Sequence, residues 1–377
     1  MYDQMDQNKM TVELFCELVR HDAPSLHEGE IAAWLKKWLR AELGLELEED
    51  ETANKIGGES GNLVCRIPGE LPGPSKLFSI HLDTVEPCRN KQVVIDNGMI
   101  KSDGKTILGA DDMAGAAAIL TALWQIRKMG TPHSDMELLF TVAEELHLQG
   151  SRHINPGWLK SEIAYVLDTG GAPGLAVNSA PGHIDFNFKI RGKAAHAGIA
   201  PEQGISAINT AASAIAAMEL GRLSSGVTAN VGRIEGGSVT NIVAEHCEFT
   251  AECRAHSIEL LMAQADNMRS CVESACQKSG AVLEVERKRS YLPFKTAEDS
   301  ISAVLFRHAC NNLGLNPVFA QGGGGSDLNH LVQLGMEGIV LAVGMENVHS
   351  CDESIKIEHL HQLTSLVREL MTIQRIV

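Results

Sequence analysis

Apolar residues recur at helical spacing in two early segments, 11–19 and 31–43, the second with Trp34, Leu35, Trp38 and Leu39. Two strand-like runs follow at 62–67 and 76–81. Residues 94–107 read as a hairpin, with Asp96-Asn97-Gly98 and Asp103-Gly104 as turn signals. An Ala/Leu-rich segment at 113–129 predicts a buried helix, and apolar runs at 136–143 and 163–167 have strand length. Such alternation of strands and helices predicts an α/β domain whose sheet is at least partly parallel. Past Gly182 the pattern changes. Residues 183–190 alternate strictly between apolar and polar, as in a half-exposed strand. A helix at 205–220, strands at 227–234 and 245–254, a helix at 258–278 and a strand at 281–287 follow; Cys247, Phe249, Ala251 and Cys253 share one strand face. This predicts a small α+β domain with a four-stranded sheet and two helices on one face. After Pro293 the first style returns, with a helix at 300–313, the glycine run 322–325, a strand at 338–343 and a last helix from about 359. The reading is therefore an insertion: one α/β domain built from 1–180 and 294–377, interrupted by a smaller domain at 181–293.

A chain of 377 residues with 44% hydrophobic and 21% charged residues can bury a sizeable core in two or three domains. Asp and Glu number 48 against 32 Lys and Arg, a net charge of −16, which argues against a nucleic-acid or anionic-membrane partner. Nine cysteines, with no CxxC pair, fit free thiols in a reducing compartment better than a disulfide framework or a thiolate zinc site. No apolar leader opens the chain and no run of about 20 apolar residues occurs, so a cytoplasmic protein is expected.

Five small clusters lie where predicted strands end, which is where ligands bind in open α/β sheets. His81 and Asp83 are two apart and point the same way on an extended chain, so Asp83 is a candidate partner for the second ring proton of a ligating His81. Asp111 and Asp112 precede a helix; either caps it, or a carboxylate there bridges two metal ions. Glu144 and Glu145 end an apolar strand. On an extended segment they face opposite ways, one toward a metal and the other toward substrate or water; the alternative is a solvated charge pair. Asp168 precedes Thr169-Gly170-Gly171 and is otherwise a turn former. His349 lies in a loop after a strand. Together these supply imidazole and carboxylate donors without thiolate, a set that suits zinc, with cobalt or manganese as alternatives. A further carboxylate is needed as general base.

In this order, His81-Leu82-Asp83, Gly109-Ala110-Asp111-Asp112, Glu144-Glu145, Asp168 and His349 resemble the di-zinc metallopeptidase family that includes peptidase T, carboxypeptidase G, the aminoacylases and succinyl-diaminopimelate desuccinylase. The resemblance spans essentially the whole chain, and LGADDMAG, TVAEELHLQGS and NVHS look closest to the peptidase T-like tripeptide aminopeptidases. It implies a zinc-peptidase catalytic domain with helices on both sides of a mixed sheet, and an inserted lid or dimerisation domain. It implies two zinc ions, with His81 and Asp168 on one, Glu145 and His349 on the other, and Asp111 bridging. Asp83 would orient His81, and Glu144 would be the general base. A strained peptide bond after Asp111 is a further family feature. His196, in Gly192-Lys193-Ala194-Ala195-His196-Ala197-Gly198, corresponds to a histidine that helps stabilise the oxyanion, often in a partner subunit's site. Asn241 and Arg254 match substrate-contacting positions, and Gly324 and Ser326 lie in a loop whose amides approach the substrate. Many relatives carry lysine two residues after the bridging aspartate, where this chain has Met113.

By the same resemblance, aspartate at 168 goes with aminopeptidases and glutamate with carboxypeptidases and deacylases. The expected activity is therefore release of the N-terminal residue from short peptides, tripeptides foremost, by a homodimer. The alternatives are an amidohydrolase or carboxypeptidase acting on N-acylated amino acids, and a non-catalytic peptide-binding homologue.

Overall fold

A computed structural model describes residues 4–223 and 226–373 of the chain. It divides into two compact units, Met1–Ala180 with Lys295–Val377, and Pro181–Phe294. The principal strands of the two main sheets run, in chain order, β1 (Glu48–Glu49), β2 (Leu63–Ile67), β3 (Lys76–His81), β4 (Met136–Thr141), β5 (Ile163–Thr169), β6 (Leu175–Ala180), β7 (Gly182–Arg191), β8 (Val227–Gly236), β9 (His246–Ala255), β10 (Val282–Tyr291), β11 (Val318–Gln321) and β12 (Glu337–Ala342). The main helices are α1 (Gln4–Leu18), α2 (Gly29–Leu43), α3 (Ala110–Met129), α4 (Ala207–Ala217), α5 (Ile258–Ser279), α6 (Ile301–Asn312) and α7 (Ile357–Thr372).

In the larger unit the sheet order is β1-β2-β4-β3-β5-β12-β6, with β11 on β6. The four central strands β4, β3, β5 and β12 are parallel to one another, while β1, β2 and β6 bring antiparallel pairings. β3 and β4 are buried along their whole length, as central strands covered on both faces must be. Alternation then sorts their side chains. Phe78 and Ile80 of β3, Leu138 and Phe140 of β4 and Tyr165 and Leu167 of β5 enter one core with residues of α1, α2, α3, α6 and α7. His81, of opposite parity, turns away from that face. The other face carries the short helices Gln149–Arg152 and Leu328–Leu331, so helices lie on both sides of a mixed sheet but with the long ones on one side.

A small antiparallel sheet joins distant parts of this unit. The hairpin of Val93–Asp96 and Met99–Ser102 pairs with Ser354–Lys356, which pairs with Met345–Glu346. It brings the loop carrying His349 into the same unit as the segment leading to Asp111.

The smaller unit is an antiparallel sheet in the order β8-β9-β7-β10, with Gly221–Arg222 adding a short fifth strand beside β8. The four-stranded expectation thus gains a two-residue edge. Phe186 and Phe188 of β7 and Phe249 of β9 stack within a core closed by α4 and α5. The polar residues of the same strands face the other way.

Candidate metal centre

The carboxyl ends of the parallel strands converge. β3 ends at His81, β4 runs on to Glu144 and Glu145, β5 carries Asp168 near its end, and β12 leads toward His349. Asp111 comes from the start of α3, where Asp111 and Asp112 depart from helical geometry and their peptide bond is cis. Gly109 sits at φ 84° just before them, a conformation that glycine adopts without a Cβ penalty.

Asp111 lies between the two histidines. His81 Nε2 is 3.0 Å from its Oδ1, and His349 Nε2 is 3.4 Å from its Oδ2 and 2.9 Å from Glu145 Oε1. Donor atoms of His81, Asp111 and Asp168 form one group within 4.8 Å of one another. Those of Asp111, Glu145 and His349 form a second, and His81, Glu144 and Glu145 a third. One carboxylate with an oxygen toward each of two such groups has the disposition of a bridging ligand.

Two expectations about side-chain direction need correction. Glu144 and Glu145 do not diverge, because the segment is not extended there. Ala143 takes φ 48°, and the Leu148 amide bonds back to the Glu144 carbonyl at 2.7 Å, so both glutamates reach the same pocket. Asp83 orients His81 less through its carboxylate than through its main chain: His81 Nδ1 is 2.9 Å from the Asp83 carbonyl and 3.5 Å from Oδ1. The carboxylate is otherwise engaged, accepting from the Glu144 amide at 2.9 Å, the Glu145 amide at 3.1 Å and the Ser25 hydroxyl at 2.7 Å.

Electrostatics follow from crowding charges out of water. Burial, then the neighbouring Asp168, raises the Glu144 carboxyl well above the usual range. Burial, then Asp111, does the same to Asp168. Burial works against a low value for Asp111, but the His349 and His81 contacts outweigh it and hold its carboxyl down. Contacts with Asp111 and Glu145 raise His349 to about 10. This concentration of carboxylates in a buried rim is the electrostatic environment that a bound cation relieves.

Three buried acids shape the rim without joining the donor groups. Glu28 Oε1 accepts the Leu26 and Ala143 amides, each at 2.9 Å. Glu353 receives amides of the Asp111 turn. Asp327 accepts a hydrogen bond from the hydroxyl of Thr141, the last residue of β4. None was singled out in the sequence, because acids that accept distant amides or a distant hydroxyl carry no spacing signature. Only the position of Glu28 just before α2 hinted at a role, as an acid at a helix start.

The remaining candidates lie apart from this cluster in the chain. Ser326 is buried, directly before Asp327, and its amide donates to Asn329 Oδ1 at 3.0 Å; Gly324 is exposed in the same loop. His196, Asn241 and Arg254 belong to the smaller unit. His196 and Asn241 are exposed on adjoining segments, joined by the Ala197 amide and the Asn241 carbonyl at 3.0 Å. Arg254 stands elsewhere, on β9, paired with Glu252 at 2.9 Å.

Among known proteins, residues 178–279 match a peptidase dimerisation domain and residues 62–193 match peptidase family M28. The chain is 38% identical to aminopeptidase PepT from Bacillus cereus, covering 97% of this chain and 98% of that one with a TM-score of 0.90. It is 36% identical to a tripeptidase from Staphylococcus aureus, with the same coverage and a TM-score of 0.93. An uncharacterized Bacillus subtilis protein, YqjE, is 37% identical over 363 residues, 96% of this chain and 98% of its own length.

Proposed function

The chain belongs to the peptidase T-like metallopeptidases, and from that premise we propose that it releases the N-terminal residue from short peptides with a free amine, tripeptides foremost. The observation that carries this reading is the convergence of His81, Asp111, Glu145, Asp168 and His349, with Glu144 among them, at one end of the parallel strands. His81 and Asp168 would hold one metal ion, Glu145 and His349 a second, and Asp111 both. Imidazole nitrogen and carboxylate oxygen without thiolate fit zinc, with cobalt or manganese as alternatives. Bound there, the metal supplies Lewis-acid polarisation of the scissile carbonyl and an acidified water.

The protein's own groups then have defined tasks. Glu144, buried and with a raised carboxyl, accepts a proton from water at the rim and returns it to the leaving amine. Asp83 holds the amides of both glutamates and, through its carbonyl, the His81 ring. We assign His196 to the carbonyl oxygen as its charge develops. Asn241 and Arg254 are assigned to the polar ends of the peptide, the guanidinium suiting a carboxylate. Gly324 and Ser326 are assigned to close main-chain approach. Catalysis belongs on this reading to the larger unit, and covering the substrate and homodimerisation to the smaller one. A cytoplasmic location agrees with nine cysteines, all free thiols.

The test is a product analysis. The zinc- or cobalt-loaded protein is incubated with a free tripeptide and its N-acetylated form, and the products are identified by mass. Release of the N-terminal residue from the free peptide alone is the expected result. Cleavage of the blocked peptide alone would overturn the assignment of Asp168 and place the protein with the deacylases and carboxypeptidases; cleavage of neither by the metal-loaded protein would support the binding-only alternative.

A further inference from the structure

Glu353 is fully buried and stands outside the donor groups of the rim. It lies four residues after His349 and directly before Ser354–Lys356, the strand clipped to Met99–Ser102. Both of its carboxylate oxygens are occupied by main-chain amides of another loop. Oε2 accepts from Gly109 at 2.6 Å and Oε1 from Asp111 at 3.0 Å. Its own amide donates to the Ser350 carbonyl at 3.1 Å, tying it back to the His349 loop. One side chain therefore joins the loop of one histidine to the backbone of Asp111.

The chemistry at this point calls for an anion. Gly109 and Asp111 lie at the start of α3, where amides have no partner within the helix. Asp111 is buried, so water does not replace a missing acceptor freely. A carboxylate meets two diverging N–H groups with two acceptor oxygens. An amide side chain has one acceptor oxygen and turns its NH₂ toward the other N–H.

We propose that Glu353 is a positioning residue: by gripping the amides of Gly109 and Asp111 from the His349 loop, it sets the Asp111 carboxylate against His349 and so fixes the geometry in which the rim takes a divalent cation. This rests on the reading of Asp111 and His349 as metal donors. Groups that orient a metal ligand without touching the metal commonly change affinity or activity by about 10–100-fold when replaced.

The test compares the metal-stripped wild type with Glu353→Gln. Cobalt(II) is titrated into each by calorimetry, the visible absorption of the cobalt-loaded forms is recorded, and kcat and KM are measured on a free tripeptide. The expected result is a folded variant with cobalt affinity, kcat or both reduced about 10–100-fold, an altered cobalt spectrum, and KM near the wild-type value. Wild-type affinity, spectrum and kcat in the variant would overturn the proposal. So would a loss of activity matched only by the unfolded fraction, with the folded fraction binding cobalt normally. Should the glutamine variant not fold, Glu353→Asp, which keeps the charge but shortens the reach, is read by the same outcomes. A wild type that binds no cobalt would instead overturn the donor-set reading itself, and this inference with it.

Discussion

At the residue scale the site separates groups that address a cation from groups that hold backbone. Glu144 is the sharpest case, buried, with a raised carboxyl, beside but not among the five assigned ligands. Glu144→Gln keeps the shape and one acceptor oxygen but removes the base. It is expected to lower kcat by about 10²–10⁴-fold while cobalt binding and the melting transition stay as in the wild type. A variant retaining a tenth of wild-type turnover would remove Glu144 from the role of base. The candidate ligands could be picked out in the sequence because histidine and carboxylate at the ends of apolar runs have few reasons to be there. Their directions were not readable. The left-handed turn at Ala143 brings Glu144 and Glu145 to one pocket, and Asp83 spends its carboxylate on two amides. Glu353 and Asp327 were invisible, and Glu28 nearly so, for a related reason: each acts on groups far away in the chain.

At the scale of elements, α3 is the piece on which the site depends most. Its first turn carries Asp111, and it packs on β3 and β5 through Gly115. A Cβ at Gly115 would lie 2.7 Å from Ile80 Cγ2, 2.7 Å from Asp112 Oδ1 and 2.9 Å from Leu167 Cβ. Gly115→Ala is therefore expected to push the helix off the sheet, costing about 1–3 kcal/mol and lowering cobalt affinity through the displaced Asp111. Calorimetric melting and cobalt titration measure the two effects, and unchanged values in both would mean the contact is relaxed elsewhere. In the smaller unit, β9 presents Glu252 to His183 at 2.7 Å and to Arg254 at 2.9 Å. His183 first, then Arg254, hold its carboxyl down to about 2. The native value lies below the unfolded one, so this contribution is complete above about pH 4.5 and is lost as pH falls through about 2. Because the group is partly exposed, the discounted worth is about 1–2 kcal/mol. Glu252→Gln should melt earlier than the wild type at pH 7, with the gap closing between pH 4.5 and 2; a gap constant with pH would deny the ion pair this role. The longer elements were largely legible from periodicity; the short strands Leu175–Ala180 and Val318–Gln321 were not, and elsewhere the misses were at element ends. The last strand of the smaller unit runs to Tyr291 rather than 287 because it follows β7 across a register shift. The alanine-rich helix begins only after Ser206, whose hydroxyl accepts the Asn209 amide at 3.2 Å.

At the scale of the whole molecule, the acidic composition that argues against a nucleic-acid partner leaves open how such a chain would bind another copy of itself. Like-charged surfaces associate through apolar contact, and exposed apolar side chains are unevenly spread here. Of the fifteen exposed large hydrophobics among the described residues, eight (Ile199, Ile208, Ile234, Val239, Ile242, Leu260, Met262 and Val282) fall between residues 181 and 294. Residues 178–279 are also those that match a peptidase dimerisation domain. The expected state in solution is thus a homodimer, with a mass by light scattering of about twice the 40.6 kDa chain. Apolar burial is little affected by screening, so the mass should hold between low and high salt, whereas an association through charges would weaken. Ile234→Asp combined with Val239→Asp places carboxylates among these side chains and should shift the mass toward that of one chain, with each unit still folded by circular dichroism. A wild type of single-chain mass would remove the dimer and require that any stabilisation by His196 come from the same chain.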